Sequence, residues 1–349
     1  MSGNGESGQG LEKLQAALAA RSMVKSWAEG LELIELVQAA HRGGWFERLL
    51  GGPATAAQLA DIAGVPAEQA SDVLAVLASA GVLESVESEE SAFRLSAPFE
   101  ALAAGPSGVD LPTVLDAVKL ARAEMAQALQ SDRRNGLDGQ RALRLARDWG
   151  LRPASGARQL FGLIYQAIPE FRERLERGGP LLDVGSGVGG ALLTTLTLYE
   201  ELRAVGVEVA GEVAAELGHR AKEAGVMDRV DIRTADARDL RDESVFTASY
   251  WAQAFFVEEA RAATLAAIFR ALRPDGLLVL QELFPPQGGQ DKPTTRTLLD
   301  RLSFRQRRAA FAVSAEDLAA EGRAAGFQDA RIVESAAGGR LVVLRKPAN

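Results

Sequence analysis

Along the first fifty positions apolar residues return every three or four residues, with Trp27, Leu31, Ile34 and Val37 followed by Trp45, Phe46 and Leu49. This spacing predicts helix from Leu11 to about Leu50, stopped by Gly51-Gly52-Pro53. Thr55 is placed to cap a short helix, Ala56–Ala63, that Gly64 ends. Pro66 opens a second helix to about Ala80, closed by Gly81. Two short runs, Val82–Val86 and Ala92–Ser96, then flank an acidic turn over Glu87–Ser91. Helix, helix, hairpin at these lengths predicts a winged helix-turn-helix.

Further helices are expected over Leu111–Leu129 and Gly139–Trp149, joined by a polar loop, Ser131–Asp138. Another spans Ala157–Arg177 with a kink at Pro169. From there strand and helix patterns alternate. The strand candidates are Leu181–Val184, Arg203–Val209, Val230–Thr234, Ser244–Tyr250, Leu277–Gln281, Ala330–Glu334 and Leu341–Arg345. Helices are expected between them over Ala191–Leu198, Glu212–Ala224, Glu258–Leu272 and Ala315–Ala325. Such alternation is the mark of a parallel sheet with crossover helices, and the last two strands read as a hairpin through Ala336–Gly339. The expected class is α/β: a Rossmann-like seven-stranded domain over 151–349, preceded by a mainly helical winged-helix domain over 11–150. Residues 1–10, polar and glycine-rich, are expected to form a disordered tail.

Composition narrows the chemistry. The chain has no cysteine and only two histidines, His41 and His219, so thiolate chemistry and multi-histidine metal sites are excluded. No metal is expected. A formal net charge of −8 argues against nucleic acid or an anionic membrane as partner. The same holds locally: over 51–110 Arg94 is the only basic residue among nine acids, which disfavours DNA binding by the winged helix. A packing and homodimerisation role is the better reading. Neither a signal peptide nor a membrane span is legible, so a cytoplasmic location is expected.

The strongest motif is Asp183-Val-Gly-Ser-Gly-Val-Gly-Gly190, which leaves an apolar strand and enters a helix. Gly185 and Gly187 clear the backbone for close approach to a ligand; Gly189 and Gly190 let the helix pack tightly on the strand. Glu208 ends the second strand, where a carboxylate can accept both hydroxyls of a ribose. Asp236 follows the third, where it can accept an adenine amine. Gly185, Gly187 and Gly190 also satisfy a dinucleotide spacing, which leaves NAD as a competitor. Asp183 weighs against it, because a carboxylate there would repel a pyrophosphate yet suit an ammonium.

With Gly206-Val-Glu-Val209 and Ala271-Leu-Arg-Pro-Asp-Gly-Leu-Leu-Val-Leu280, the loop makes the chain resemble class I S-adenosylmethionine-dependent methyltransferases. More narrowly, it is similar to small-molecule O-methyltransferases with an N-terminal winged-helix dimerisation domain, from about Ser26 to Lys346. The resemblance implies S-adenosylmethionine as cofactor. Asp183, Gly185, Ser186, Gly187 and Gly189 would hold its methionine portion, Glu208 its ribose, and Asp236 with Ala237 its adenine.

It also implies a histidine base after the fourth strand, and here the chain departs: Gln253 stands in that place. An amide cannot take a proton at neutral pH. Gln253, Tyr250 and Tyr165 are therefore the catalytic candidates. Trp251 is expected at the cofactor as part of an aromatic cage, and Phe161, Phe255 and Glu282 in the acceptor pocket. The loop Phe284–Lys292 is a candidate lid, and the arginine-rich helix after it reads chiefly as a solvated face. The expected function is methyl transfer to a small molecule in specialised metabolism, driven by proximity and orientation. The alternatives are a non-methylating use of the cofactor, such as its cyclisation, a pericyclic reaction, decarboxylation or hydroxylation, and, less favoured, a winged-helix regulator.

Overall fold

The computed structural model describes residues 4–86, 91–105, 107–130, 139–284, 293–336 and 338–348, with side chains from residue 10 onward. The expected polar loop (131–138), and all but Ser91 of the expected acidic turn and all but Phe284 of the expected lid, lie outside the described residues. The chain divides into two compact units, Met1–Gly105 and Pro106–Asn349.

The first unit opens with a long helix, α1 (Asn4–Arg42), so the segment expected as a disordered tail is helical from Asn4. It continues through α2 (Trp45–Leu50), β1 (Ala54–Thr55), α3 (Ala56–Ala63), α4 (Ala67–Ser79), β2 (Leu83–Val86), β3 (Ala92–Leu95) and α5 (Ala97–Ala104). The three strands form an antiparallel sheet in the order β1-β3-β2. Trp45, Phe46, Leu59, Leu74 and Leu77 are buried between these helices, and the Trp45 indole donates to the Leu59 carbonyl at 2.9 Å. Thr55 starts α3 with a reciprocal cap: its hydroxyl accepts from the Gln58 amide, while the Gln58 side chain accepts from the Thr55 amide.

The second unit begins with α6 (Leu111–Ala126) and α7 (Gly139–Trp149). Both had been expected in the N-terminal domain, with its boundary at 150. They belong to the second unit because their side chains pair within it: Arg147 with Glu216, and Glu124 with Arg307. The single kinked helix expected over 157–177 is two helices, α8 (Ser155–Gln166) and α9 (Pro169–Glu176). Proline lacks the amide proton that would continue the first, and instead starts the second.

The sheet that follows has the strands β4 (Leu181–Val184), β5 (Ala204–Glu208), β6 (Val230–Thr234), β7 (Phe246–Trp251), β8 (Leu272–Gln281), β9 (Gln328–Glu334) and β10 (Arg340–Arg345). Its order is β6-β5-β4-β7-β8-β10-β9, parallel except for β10, which runs antiparallel to both neighbours. Helices α10 (Gly190–Leu198), α11 (Gly211–Glu223), α12 (Arg261–Ala271), α13 (Thr295–Gln306) and α14 (Ala315–Ala324) complete the unit. Strand alternation divides the core into two layers. Leu181, Tyr250, Val279 and Val343 pack with α8, α10 and α11, while Leu182, Val184, Trp251, Leu278 and Leu344 pack with α12 and α14. The chain order folds outward from β4 in both directions, so the switch point lies between β4 and β7. Ligands of open α/β sheets bind in that crevice, at the carboxyl ends of the strands.

Removing the reciprocal cap tests this local reading. Thr55→Ala is expected to destabilise the first unit by about 1 kcal/mol, measured by urea unfolding, with the second unit's transition unchanged.

Candidate active site

The loop after β4 is built on backbone that side chains cannot share. Gly185 and Gly187 have φ of +66° and +55°. A Cβ on Gly185 would also stand 2.5 Å from Cε2 of Phe256. The Gly185 and Ser186 amides both donate to the Val207 carbonyl, and the Ser186 hydroxyl donates to the Asp183 carbonyl at 3.0 Å, which holds the turn against β5.

Asp183 lies one residue inside the end of β4, between Gly206 of β5 and Tyr250 of β7. It is buried, and no basic side chain pairs with it among the described residues. Burial, reinforced by the nearby Glu208 charge, pushes its carboxyl up to about 7. Glu208 is gripped by backbone: one oxygen accepts from the Gly187 amide and the other from Ala210, each at 3.0 Å. Burial raises this carboxyl, while these amides pull it back. Asp236 stands after β6 as expected, with Ala237 buried beside it, but its carboxylate is already engaged by the Arg238 guanidinium at 2.6 and 2.9 Å. That hydrogen bond holds its pKa below the usual carboxylate value. An adenine amine would have to share or displace Arg238.

The catalytic candidates behave differently. Gln253 is buried with φ +58°; its amide nitrogen donates to the Gln281 carbonyl at 3.1 Å. Its side-chain oxygen accepts from Arg261 at 2.6 Å, and Arg261 in turn pairs with Glu321. The expected reactive amide is thus a clamp, both ends occupied. Tyr250 donates to the Gln281 side chain, and Tyr165 shares a 2.5 Å hydrogen bond with Thr195. Both phenols are raised above their ordinary value by burial. They sit in one core layer with Phe161, whose ring centroid is 6.0 Å from that of Tyr165. Phe161 is accordingly a core residue and not a pocket wall.

Trp251 is not part of an open cage. It is fully buried on the opposite side of the sheet from Tyr250, 4.9 Å from the Phe256 ring, with the Arg261 guanidinium 5.4 Å from its own. Among the described residues its indole N–H has no partner, an unmet donor near the strand end. Glu282 does not face a pocket either. Its carboxylate takes two hydrogen bonds from Arg340 and one from the Ala315 amide, tying β8 to β10 and to the start of α14. A charge this buried is tolerable only when so paired.

Phe255, expected in the acceptor pocket, has ring companions that the sequence did not signal. Its ring stacks 5.7 Å from Phe304 and meets Trp149 at 5.6 Å. Phe284 joins Trp149 at 4.9 Å and Phe304 at 5.0 Å, and Phe311 lies 5.2 Å from Phe304. These rings come from five places between residues 149 and 311, so only the fold reveals them. On α13 Arg296 pairs with Asp300, while just beyond the helix Arg307 pairs with the buried Glu124 and Arg308 with Glu259. Of the two histidines, His41 packs on Phe46 in the first unit, and exposed His219 pairs with Glu223. Among the described residues no cluster of acids and histidines could hold a metal.

The buried, uncompensated Asp183, the cleared backbone at Gly185 and the fixed carboxylate of Glu208 fit an adenosine-bearing cofactor with a positive amino-acid end. Known proteins agree. Residues 181–276 match the family model for a methyltransferase domain. No curated protein matches the chain. Among solved structures it is similar to the mitomycin 7-O-methyltransferase MmcR at 19% identity, covering 95% of this chain and 99% of that one with a TM-score of 0.66. Human N-acetylserotonin methyltransferase in complex with SAM is 15% identical over 94% and 98% of the two chains, with a TM-score of 0.67. An O-methyltransferase family protein from Burkholderia thailandensis is 13% identical over 95% and 98%, with a TM-score of 0.68. Residues 181–276 therefore form a methyltransferase domain, and the chain has, along nearly its whole length, the fold of these O-methyltransferase structures.

Proposed function

We propose that the protein transfers the methyl group of S-adenosylmethionine to a small, apolar acceptor of specialised metabolism. The observation that carries this is Asp183, a buried carboxylate beside the glycine loop that no basic side chain pairs with among the described residues. When bound, the cofactor supplies an activated methyl carbon on a sulfonium; the acceptor's lone pair forms the new bond as the carbon–sulfur bond breaks. The chain's part is to hold and to exclude. Asp183 supplies a counter-charge to an ammonium, and Glu208, pinned by the Gly187 and Ala210 amides, presents its remaining acceptor capacity to ribose hydroxyls. The aromatic residues around Phe255 and Phe304 provide an apolar wall that keeps water away.

Gln253 cannot take a proton, and its amide is already engaged at both ends. Acceleration therefore rests on alignment, which can contribute a large share of a displacement's barrier reduction. An acceptor whose nucleophile arrives unprotonated, such as a free amine or carboxylate, suits this site. The fold and its matches give no support to cyclisation of the cofactor or to DNA regulation.

We infer in addition that the protein works as a homodimer through its first unit. Leu11, Leu14, Leu18, Val24, Trp27 and Leu31 lie exposed on α1, with Trp27 at 66% exposure. A second copy of the same helix is the partner that would cover them. Trp27→Glu is expected to shift the protein from dimer to monomer in sedimentation velocity; a dimer that persists unchanged overturns this.

Incubation with S-adenosylmethionine and a panel of amine, carboxylate and phenol acceptors should yield S-adenosylhomocysteine and methylated product in equal amounts. Methylthioadenosine in its place, or no turnover with any acceptor, would sink the reading. Cofactor affinity should also follow the Asp183 carboxyl. Above about pH 7 it is ionised and binding is full; below, it is protonated, and affinity should fall about tenfold per unit. Without cofactor the sign is opposite. The unfolded carboxyl ionises near 4, so the folded state binds more protons between 4 and 7, and stability drops as pH rises. Asp183→Asn should flatten both profiles, read by calorimetric titration with S-adenosylhomocysteine and by thermal unfolding.

A further inference from the structure

The cofactor and acceptor halves of the crevice meet at one short stretch of chain. On one side of the switch point stand β4, β5 and β6 with the glycine loop; on the other, β7 and β8 lead into Phe255 and Phe284. The end of α7 touches both. Towards the loop, Gly150 and Gly190 meet backbone to backbone: a Cβ on Gly190 would lie 2.9 Å from the Gly150 Cα. A Cβ on Gly150 would lie 2.3 Å from Cγ2 of Val188. The nearest atom to a Cβ placed on Gly187 is the Ala146 Cβ, one turn earlier on the same helix. Nothing larger than glycine fits at this contact, so the two segments cannot shift independently.

The contact is also fastened. Arg147 holds Glu216 of α11 through two hydrogen bonds, at 2.8 and 3.3 Å. Arg220, on the same helix and itself buried, donates to the Gly150 carbonyl at 2.7 Å. Towards the acceptor side, Trp149 meets Phe255 and Phe284 edge-on at 5.6 and 4.9 Å. It nonetheless keeps 43% of its surface exposed, although Phe304, packed against both of its neighbours, is buried. An indole left open beside an apolar wall, on a backbone anchored to a nucleotide-type loop, is placed to receive a flat ring.

Resting on the methyltransferase reading above, we propose that Trp149 is the residue that positions a flat, ring-bearing acceptor. Its placement is set by the Gly150–Gly190 contact, so the state of the cofactor loop reaches the acceptor through it. Trp149 touches no cofactor-binding carboxylate, and its role is therefore separable from cofactor affinity.

Two measurements test this on the full-length protein. In the first, 2-naphthol is titrated by calorimetry into protein saturated with S-adenosylhomocysteine. Trp149→Ala is expected to weaken its binding about tenfold, and Trp149→Phe to restore most of it, while S-adenosylhomocysteine itself binds both variants within about twofold of the parent. Unchanged 2-naphthol binding in Trp149→Ala, or none to the parent protein, overturns the acceptor role. In the second, S-adenosylhomocysteine alone is added and tryptophan fluorescence followed. A change that disappears in Trp149→Phe, with Trp27, Trp45 and Trp251 still present, supports the coupling; one that persists overturns it. Neither readout needs turnover, so a failed methyl transfer and a failed Trp149 role remain distinguishable.

Discussion

Asp183, a carboxylate buried without a counter-charge among the described residues, is the constraint around which the proposed site is built. Asp183 could not remain where it is at low cost unless something positive completed it, since desolvation penalises the ionised form severely. Much of the surrounding architecture keeps other side chains from pairing with it. The glycines remove side chains from the turn, Glu208 is drawn aside by two backbone amides, and the neighbouring phenols of Tyr165 and Tyr250 are turned to Thr195 and Gln281. On the proposed reading the site is destabilised in isolation and would be relieved by its ligand, a common arrangement where function competes with stability.

The sheet makes this arrangement possible by its register. Asp183 pairs with Gly206 on one side and Tyr250 on the other, so it projects on the layer shared with α8 and α10. Val184, one residue on, falls on the layer shared with α12 and α14. A slip of one residue would bury valine at the ligand and put the carboxylate under α12. Chemistry and core packing are thus specified by the same alternation.

Sequence reading recovered what is local. The strand ends, the glycine loop and the positions of Glu208 and Asp236 follow from periodicity and spacing over short stretches, and the structure has them there. It failed where a side chain's meaning depends on a distant partner. Glu282 read as a pocket acid because nothing nearby on the chain hinted at Arg340, 58 residues later. Gln253 read as catalytic because Arg261 and Glu321 were invisible as its anchors. Trp149, Phe284, Phe304 and Phe311 went unremarked as a group, since their common location exists only after folding. The helices α6 and α7 were assigned to the wrong neighbour for the same reason: pairing, not proximity in sequence, decides membership.

The clamp at Gln253 has an evolutionary consequence. Its backbone lies at φ +58°, a region that β-branched residues avoid, and its amide meets a guanidinium on one side and a carbonyl on the other. A titrating side chain introduced there alone would inherit a cation 2.6 Å away that opposes taking up a second positive charge. A base at this position would therefore need Arg261 to change as well, which would in turn strand Glu321. Positions 253, 261 and 321 are thus coupled: a single substitution at any one of them leaves a charged or polar partner unmatched.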